Sequence, residues 1–167
     1  MEVTHMSESS ELAPNVRALV GFAAEPVVME VERGAIRRFC EAVGDSNPLF
    51  TDEEYAQNGP HGDIICPPGF FGWPKKPVAG LTEPTATMIA QFAEAGFPGL
   101  LDGGIEYQFY MPIYPGDVLT SSAKIVDVYE REGKTGKSLF GIIEVTYTNQ
   151  KGEIVCKARR ILIGRQA

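Results

Sequence analysis

Imidazole is the scarcest chemistry in this chain: its 167 residues hold two histidines, three cysteines and one tryptophan. The cysteines, Cys40, Cys66 and Cys156, lie far apart with no C-x-x-C or mixed Cys/His spacing, which argues against a structural zinc site. Their odd number, with no secretory leader pattern, points to a reducing cytoplasm. No apolar run approaches the roughly 20 residues needed to span a bilayer. Cations are outnumbered, 15 Lys and Arg against 22 Asp and Glu, a formal charge of −7. That balance argues against nucleic acid or an anionic membrane as the main partner. Nothing in the sequence asks for a cofactor or a metal.

What is present fits one globular domain, with 44% hydrophobic and 22% charged residues. The opening stretch, residues 1–15, is polar and unpatterned and reads as a loose tail; residues 16–167 read as a single domain. His5 falls in the tail, which leaves His61 as the imidazole of the domain.

The most informative stretch is FCEAVGDSNPLFTDEEYA, from Phe39 to Ala56. Ile36, Phe39, Cys40 and Val43 recur at helical spacing and predict an amphipathic helix over 33–43, closed by Gly44. Asp45, Ser46, Asn47 and Pro48 then form a compact polar turn, and Asp52 is placed to cap a second short helix. Asp45, an acid between two apolar segments, is a candidate for a raised pKa and acid–base work. The alternative is that Asp45 and Asn47 close the turn by side-chain to backbone hydrogen bonds.

Further along, a short strand is expected over 29–31 and a helix over 82–95, with Met88, Ile89, Phe92 and Ala95 on its apolar face. That face is core, acyl-chain lining or a dimer contact. Glycine and proline mark 96–104 as a loop. From Ile105 the period becomes two, and three more strands are expected over 117–131, 138–148 and 153–164, joined by short turns and hence antiparallel. Helices packed against an antiparallel sheet make an α+β domain.

The run GDSNPLF resembles the G-D-x-N-P-[LIV]-H motif of MaoC-like (R)-specific enoyl-CoA hydratases and dehydratases. ICPPGFF, GGIEYQFYMPIYPGDVL and the closing ARRILIG extend the similarity to the N-terminal-type MaoC dehydratase domain. That type includes partner subunits of mycobacterial hydroxyacyl-ACP dehydratases. The resemblance implies a hot-dog fold, an antiparallel sheet wrapped around a central helix. It also implies hydration of an enoyl thioester, or dehydration of the 3-hydroxyacyl thioester, on acyl-CoA or acyl-ACP. The family pairs its hot dogs, so a homodimer or heterodimer is expected.

By the same resemblance Asp45 is the acid–base residue, Asn47 helps to position water, and the Gly69 N–H polarises the thioester carbonyl near the start of the central helix. The motif histidine is replaced by Phe50. His61, in the loop NGPHGDIICPP, is either a substitute base or an exposed loop residue. Phe50, Phe70, Phe71 and Trp73 are candidate tunnel residues. Asp102 stands where similar sequences often carry histidine, and Met111 where arginine is common. Coenzyme A or a carrier protein, both acidic, would need a basic patch such as Lys75 with Lys76, or Arg159 with Arg160. Two readings follow: an enzyme, or a non-catalytic acyl-binding subunit whose partner carries the intact Asp/His motif.

Overall fold

The computed structural model describes residues 12–76, 83–134 and 136–166. Helix α1 (Pro14–Arg17) and strand β1 (Val27–Glu30) lead into α2 (Arg33–Val43), α3 (Pro48–Thr51) and α4 (Glu53–Gln57). After β2 (Trp73–Pro74) comes the longest helix, α5 (Glu83–Glu94), and then β3 (Gly99–Phe109), β4 (Val118–Gly133), β5 (Gly136–Thr148) and β6 (Ile154–Arg165). The strands form one antiparallel sheet in the order β2-β1-β4-β5-β6-β3. Helix α5 packs on β4, β5 and β6, which gives the α+β hot-dog arrangement. Among the described residues no helix is long and apolar enough to cross a membrane.

The helix lies close to the sheet because glycine stands beneath it. A Cβ at Gly141 would overlap the Met88 thioether and press on the Phe92 ring, and one at Gly164 would press on Phe92 and Phe97. Met88 and Phe92 are fully buried there with Val16, Ile125, Leu139 and Leu162, so the apolar face of α5 is core. A second core lies under α2, α3 and α4, where Ile36, Cys40 and Phe50 meet Phe70, Phe71, Ile113 and Leu119.

Local chemistry explains most boundaries. Gly44 ends α2 at φ 72, a left-handed conformation that costs glycine little. The chain turns away there, so Val43 is 59% exposed although it continues the helical spacing of Ile36 and Cys40. Asp52 caps α4, its Oδ1 accepting the Tyr55 N–H at 2.9 Å. The polar turn is shorter than expected, because Pro48 opens α3, with proline in the first helical turn and Asn47 as its cap. Part of the expected tail is tied down: Asn15, in α1, donates its side-chain amide to Gln91 Oε1 at 3.0 Å. His5 lies outside the described residues.

The loop expected over 96–104 is mostly strand. Between Asp102 and Gly104 the register against β6 slips by one, Gly104 adopts φ 103, and its N–H donates to Asp102 Oδ1 at 2.9 Å. The paired glycines are therefore a β-bulge inside β3. Strand β3 is also one edge of the sheet, β2 being the other. Leu100, Leu101, Ile105 and Phe109 are 43–47% exposed, so their apolar character marks a surface rather than a core face.

Candidate functional site

The motif turn is held by its own side chains. The Asp45 N–H closes α2 on the Cys40 carbonyl at 2.9 Å. Asn47 donates its backbone N–H to Asp45 Oδ1 at 3.0 Å, and Leu49 donates to Asn47 Oδ1 at 3.1 Å. Thr51 Oγ1 donates to the Asn47 carbonyl at 3.0 Å. One carboxylate oxygen and the carboxamide oxygen thus carry turn-closing bonds. Asp45 is half-buried and Asn47 exposed, and Asp45 Oδ2 accepts no hydrogen bond from the described residues. Burial, and then the nearby Asp45 carboxylate, raise the Cys40 thiol above its ordinary pKa.

Phe50 takes the opposite environment. It is 8% exposed and packs into the core under α2–α4. It also lines a cavity of about 350 Å³ whose walls include Leu49, Ile65, Cys66, Phe109 and Met111. Two backbone hydrogen bonds clamp this wall, Ile65 N–H to the Leu49 carbonyl at 3.3 Å and Cys66 N–H to the Ile113 carbonyl at 2.8 Å. Among the described residues, no acidic, basic or histidine side chain lines the cavity. The Cys66 thiol is pushed up to about 12, first by burial and then by Asp117 and Cys40, and so stays neutral.

Of the residues singled out from sequence, Phe50 lines the cavity, whereas Asp45, Asn47, His61, Gly69, Phe70, Phe71 and Trp73 do not. His61 is half-buried, and its backbone carbonyl accepts the Tyr114 hydroxyl at 3.4 Å. It shares no hydrogen bond with Asp45. Its loop is anchored nearby by Arg33, which meets both oxygens of Asp63 at 2.9 and 2.8 Å and holds that carboxyl below the usual carboxylate range.

Gly69 follows Pro68, which does line the cavity, and is exposed at φ 91. Its N–H donates to no acceptor among the described residues. The resemblance puts the start of the central helix near this point. Among the described residues that helix, α5, begins at Glu83, so Gly69 sits in a turn rather than at a helix N-terminus.

The aromatic residues form two groups. Phe70 packs against Phe39 at 5.1 Å and edge-on to Trp73 at 5.9 Å, with Trp73 56% exposed. Phe71 stacks on Tyr147 at 4.0 Å and 7°, and on Phe109 at 6.1 Å and 8°. Burial drives the Tyr147 hydroxyl above its ordinary pKa. Phe109 and Met111 escaped the sequence search as site residues, although both lie on one face of the alternation that begins at Ile105. Each candidate basic pair is split: Lys75 pairs with Glu30 at 2.7 Å and Arg160 with Asp102 at 3.2 Å, while Lys76 and Arg159 form no ion pair among the described residues.

A family model described as the FAS1-like dehydratase domain region matches residues 18–158. The UPF0336 protein SCO4636 of Streptomyces coelicolor is 30% identical over 154 residues, covering 90% of this chain and 95% of that one. A probable enoyl-CoA hydratase alpha subunit of Thermomonospora curvata is 26% identical over 132 residues; the match covers 74% of this chain and 41% of that protein. Among solved structures, the ChsH1-ChsH2 complex of Mycobacterium tuberculosis superposes with a TM-score of 0.78 at 22% identity, covering 91% of this chain and 94% of the matched one.

Proposed function

The chain belongs to the FAS1-like dehydratase domain family, with the MaoC-like hot-dog fold, and from that membership we propose that it is the acyl-binding half of a heteromeric enoyl-thioester hydratase or 3-hydroxyacyl-thioester dehydratase. A second hot-dog subunit would carry the Asp/His motif. The observation that carries this reading is Phe50. Adding water across an enoyl thioester needs one group to take a proton from water and another to give one to carbon. A phenyl ring does neither, and here it forms the wall of an uncharged cavity suited to an acyl group.

The edge strand supports the partner. Leu100, Leu101 and Ile105 expose apolar surface beside the unpaired backbone of β3. Phe109, at the end of that strand, and Tyr110, next to it, also line the cavity, so a subunit docked there would close the cavity as well. The alpha-subunit name of the T. curvata relative and the pairing of two named proteins, ChsH1 and ChsH2, in the M. tuberculosis complex agree with a heteromer. The Gly69 N–H, one residue beyond the cavity wall and without an acceptor among the described residues, would hold the thioester carbonyl. Lys76 and Arg159 are available for the phosphates of coenzyme A or the acidic surface of a carrier protein. Three free cysteines fit a reducing cytoplasm.

A second reading, catalysis by this chain in a homodimer with Asp45 and His61, is favoured by Asp45 Oδ2, which accepts no hydrogen bond from the described residues. Coexpression with a short MaoC-like protein bearing G-D-x-N-P-x-H separates the two. Hydration of crotonyl-CoA and 2-decenoyl-CoA is expected from the pair and not from this chain alone. Turnover by the purified chain at the rate of the pair would overturn the subunit reading.

A further inference from the structure

We propose that the cavity beside Phe50 selects a flat, ring-bearing acyl group over a flexible linear one. The inference rests on the acyl-binding reading and names its substrate class.

The geometry is a stack of rings with an open end. Tyr147, Phe71 and Phe109 lie almost parallel, with Phe71 7° from the first and 8° from the second. Phe71 is buried in the middle, at 7% exposure, and Tyr107 packs against it at 5.5 Å. Phe109 ends the stack, lines the cavity and remains 43% exposed. Aromatic rings prefer offset-stacked neighbours, so a flat ligand ring would continue the series on the open side of Phe109.

Much of the rest of the wall is built from rings. Phe109 sits in β3 with its backbone opposite Cys156, and Phe50, Pro68 and Pro112 add rigid surfaces. A rigid ring system entering such a site loses few internal rotations, whereas a linear chain must freeze many. The volume of about 350 Å³ is at the small end for ligand sites, which suits a compact group. Met111 is the adaptable part of the lining. Buried apolar area alone would favour a long alkyl chain, so a preference for a ring would report shape and stacking rather than hydrophobicity.

The test is calorimetric titration of the full chain with 2-naphthylacetyl-CoA and dodecanoyl-CoA, whose acyl groups have equal numbers of carbons. The naphthyl thioester is expected to bind at least fivefold tighter. Phe109→Leu should abolish that preference, and Phe109→Trp should keep it. Circular dichroism of each variant checks that it folds. Equal or tighter binding of dodecanoyl-CoA would overturn the inference and leave the acyl-binding reading standing. A preference untouched by Phe109→Leu would overturn it too, and binding of neither thioester would sink both.

Discussion

The Asn47 backbone N–H donates to Asp45 Oδ1 at 3.0 Å, so one oxygen of this carboxylate is engaged in closing its own turn. Five residues after Asp45 stands Phe50, a buried phenyl ring that can neither take nor give a proton. The turn is preserved and the chemistry beside it is apolar.

The turn bonds should be visible in stability. Asn47→Ala removes the cap of α3 and is expected to cost about 1 kcal/mol. Asp45→Ala is expected to cost about 1 kcal/mol as well, and Asp45→Asn much less because it keeps an acceptor oxygen. Urea denaturation of the three variants measures all of this.

Packing beneath α5 gives a larger effect. A methyl group at Gly141 has no room beside Met88 and Phe92. Gly141→Ala should therefore destabilise the fold by about 1–3 kcal/mol, read as a lower melting temperature, with helix content retained below the transition.

The ion pair of Arg33 and Asp63 sets an acid-sensitive increment. Its hydrogen bond to Arg33 depresses the Asp63 carboxyl, so the stabilisation is complete above about pH 4, the ordinary carboxylate value, and is lost as pH falls through the lower folded-state value. Both side chains are more than a third exposed or close to it, at 42% and 35%, and screening holds the increment to about 0.5 kcal/mol. Asp63→Asn should lower stability at pH 7 and converge with the parent chain near pH 2 in parallel melts.

The sheet edge should govern assembly. Ile105→Lys places a charge in the exposed apolar row of β3 and is expected to weaken association with a hot-dog partner at least tenfold in sedimentation velocity. The isolated chain should keep its melting temperature, because Ile105 is 47% exposed within it.

Much of this molecule is legible in its sequence. Helix α2 is, because Ile36 and Cys40 keep helical spacing and Gly44 stops it; α4 is, because Asp52 caps it. The hairpins of β4, β5 and β6 follow from alternation and a short turn at Asn149–Gly152. The start of β3 is hidden because Gly103 and Gly104 look like a loop, and only pairing with β6 turns them into a bulge. The glycines under α5 carry no local sign of what lies over them. The cavity is the least legible part. Phe50, Cys66, Phe109 and Ile113 lie far apart in the chain and meet through tertiary packing, so no local pattern joins them. The hot-dog name itself comes from family resemblance, since alternating strands and one long helix fit several α+β layouts.

The most direct measurement is the hydration rate of the assembled heteromer carrying Asp45→Asn in this chain alone. If proton transfer belongs to the partner, the rate stays within twofold of the parent complex, and the corresponding Asp→Asn change in the partner's motif abolishes it. A loss of 100-fold or more from Asp45→Asn in this chain, the scale expected on removing a general acid or base, would contradict the account.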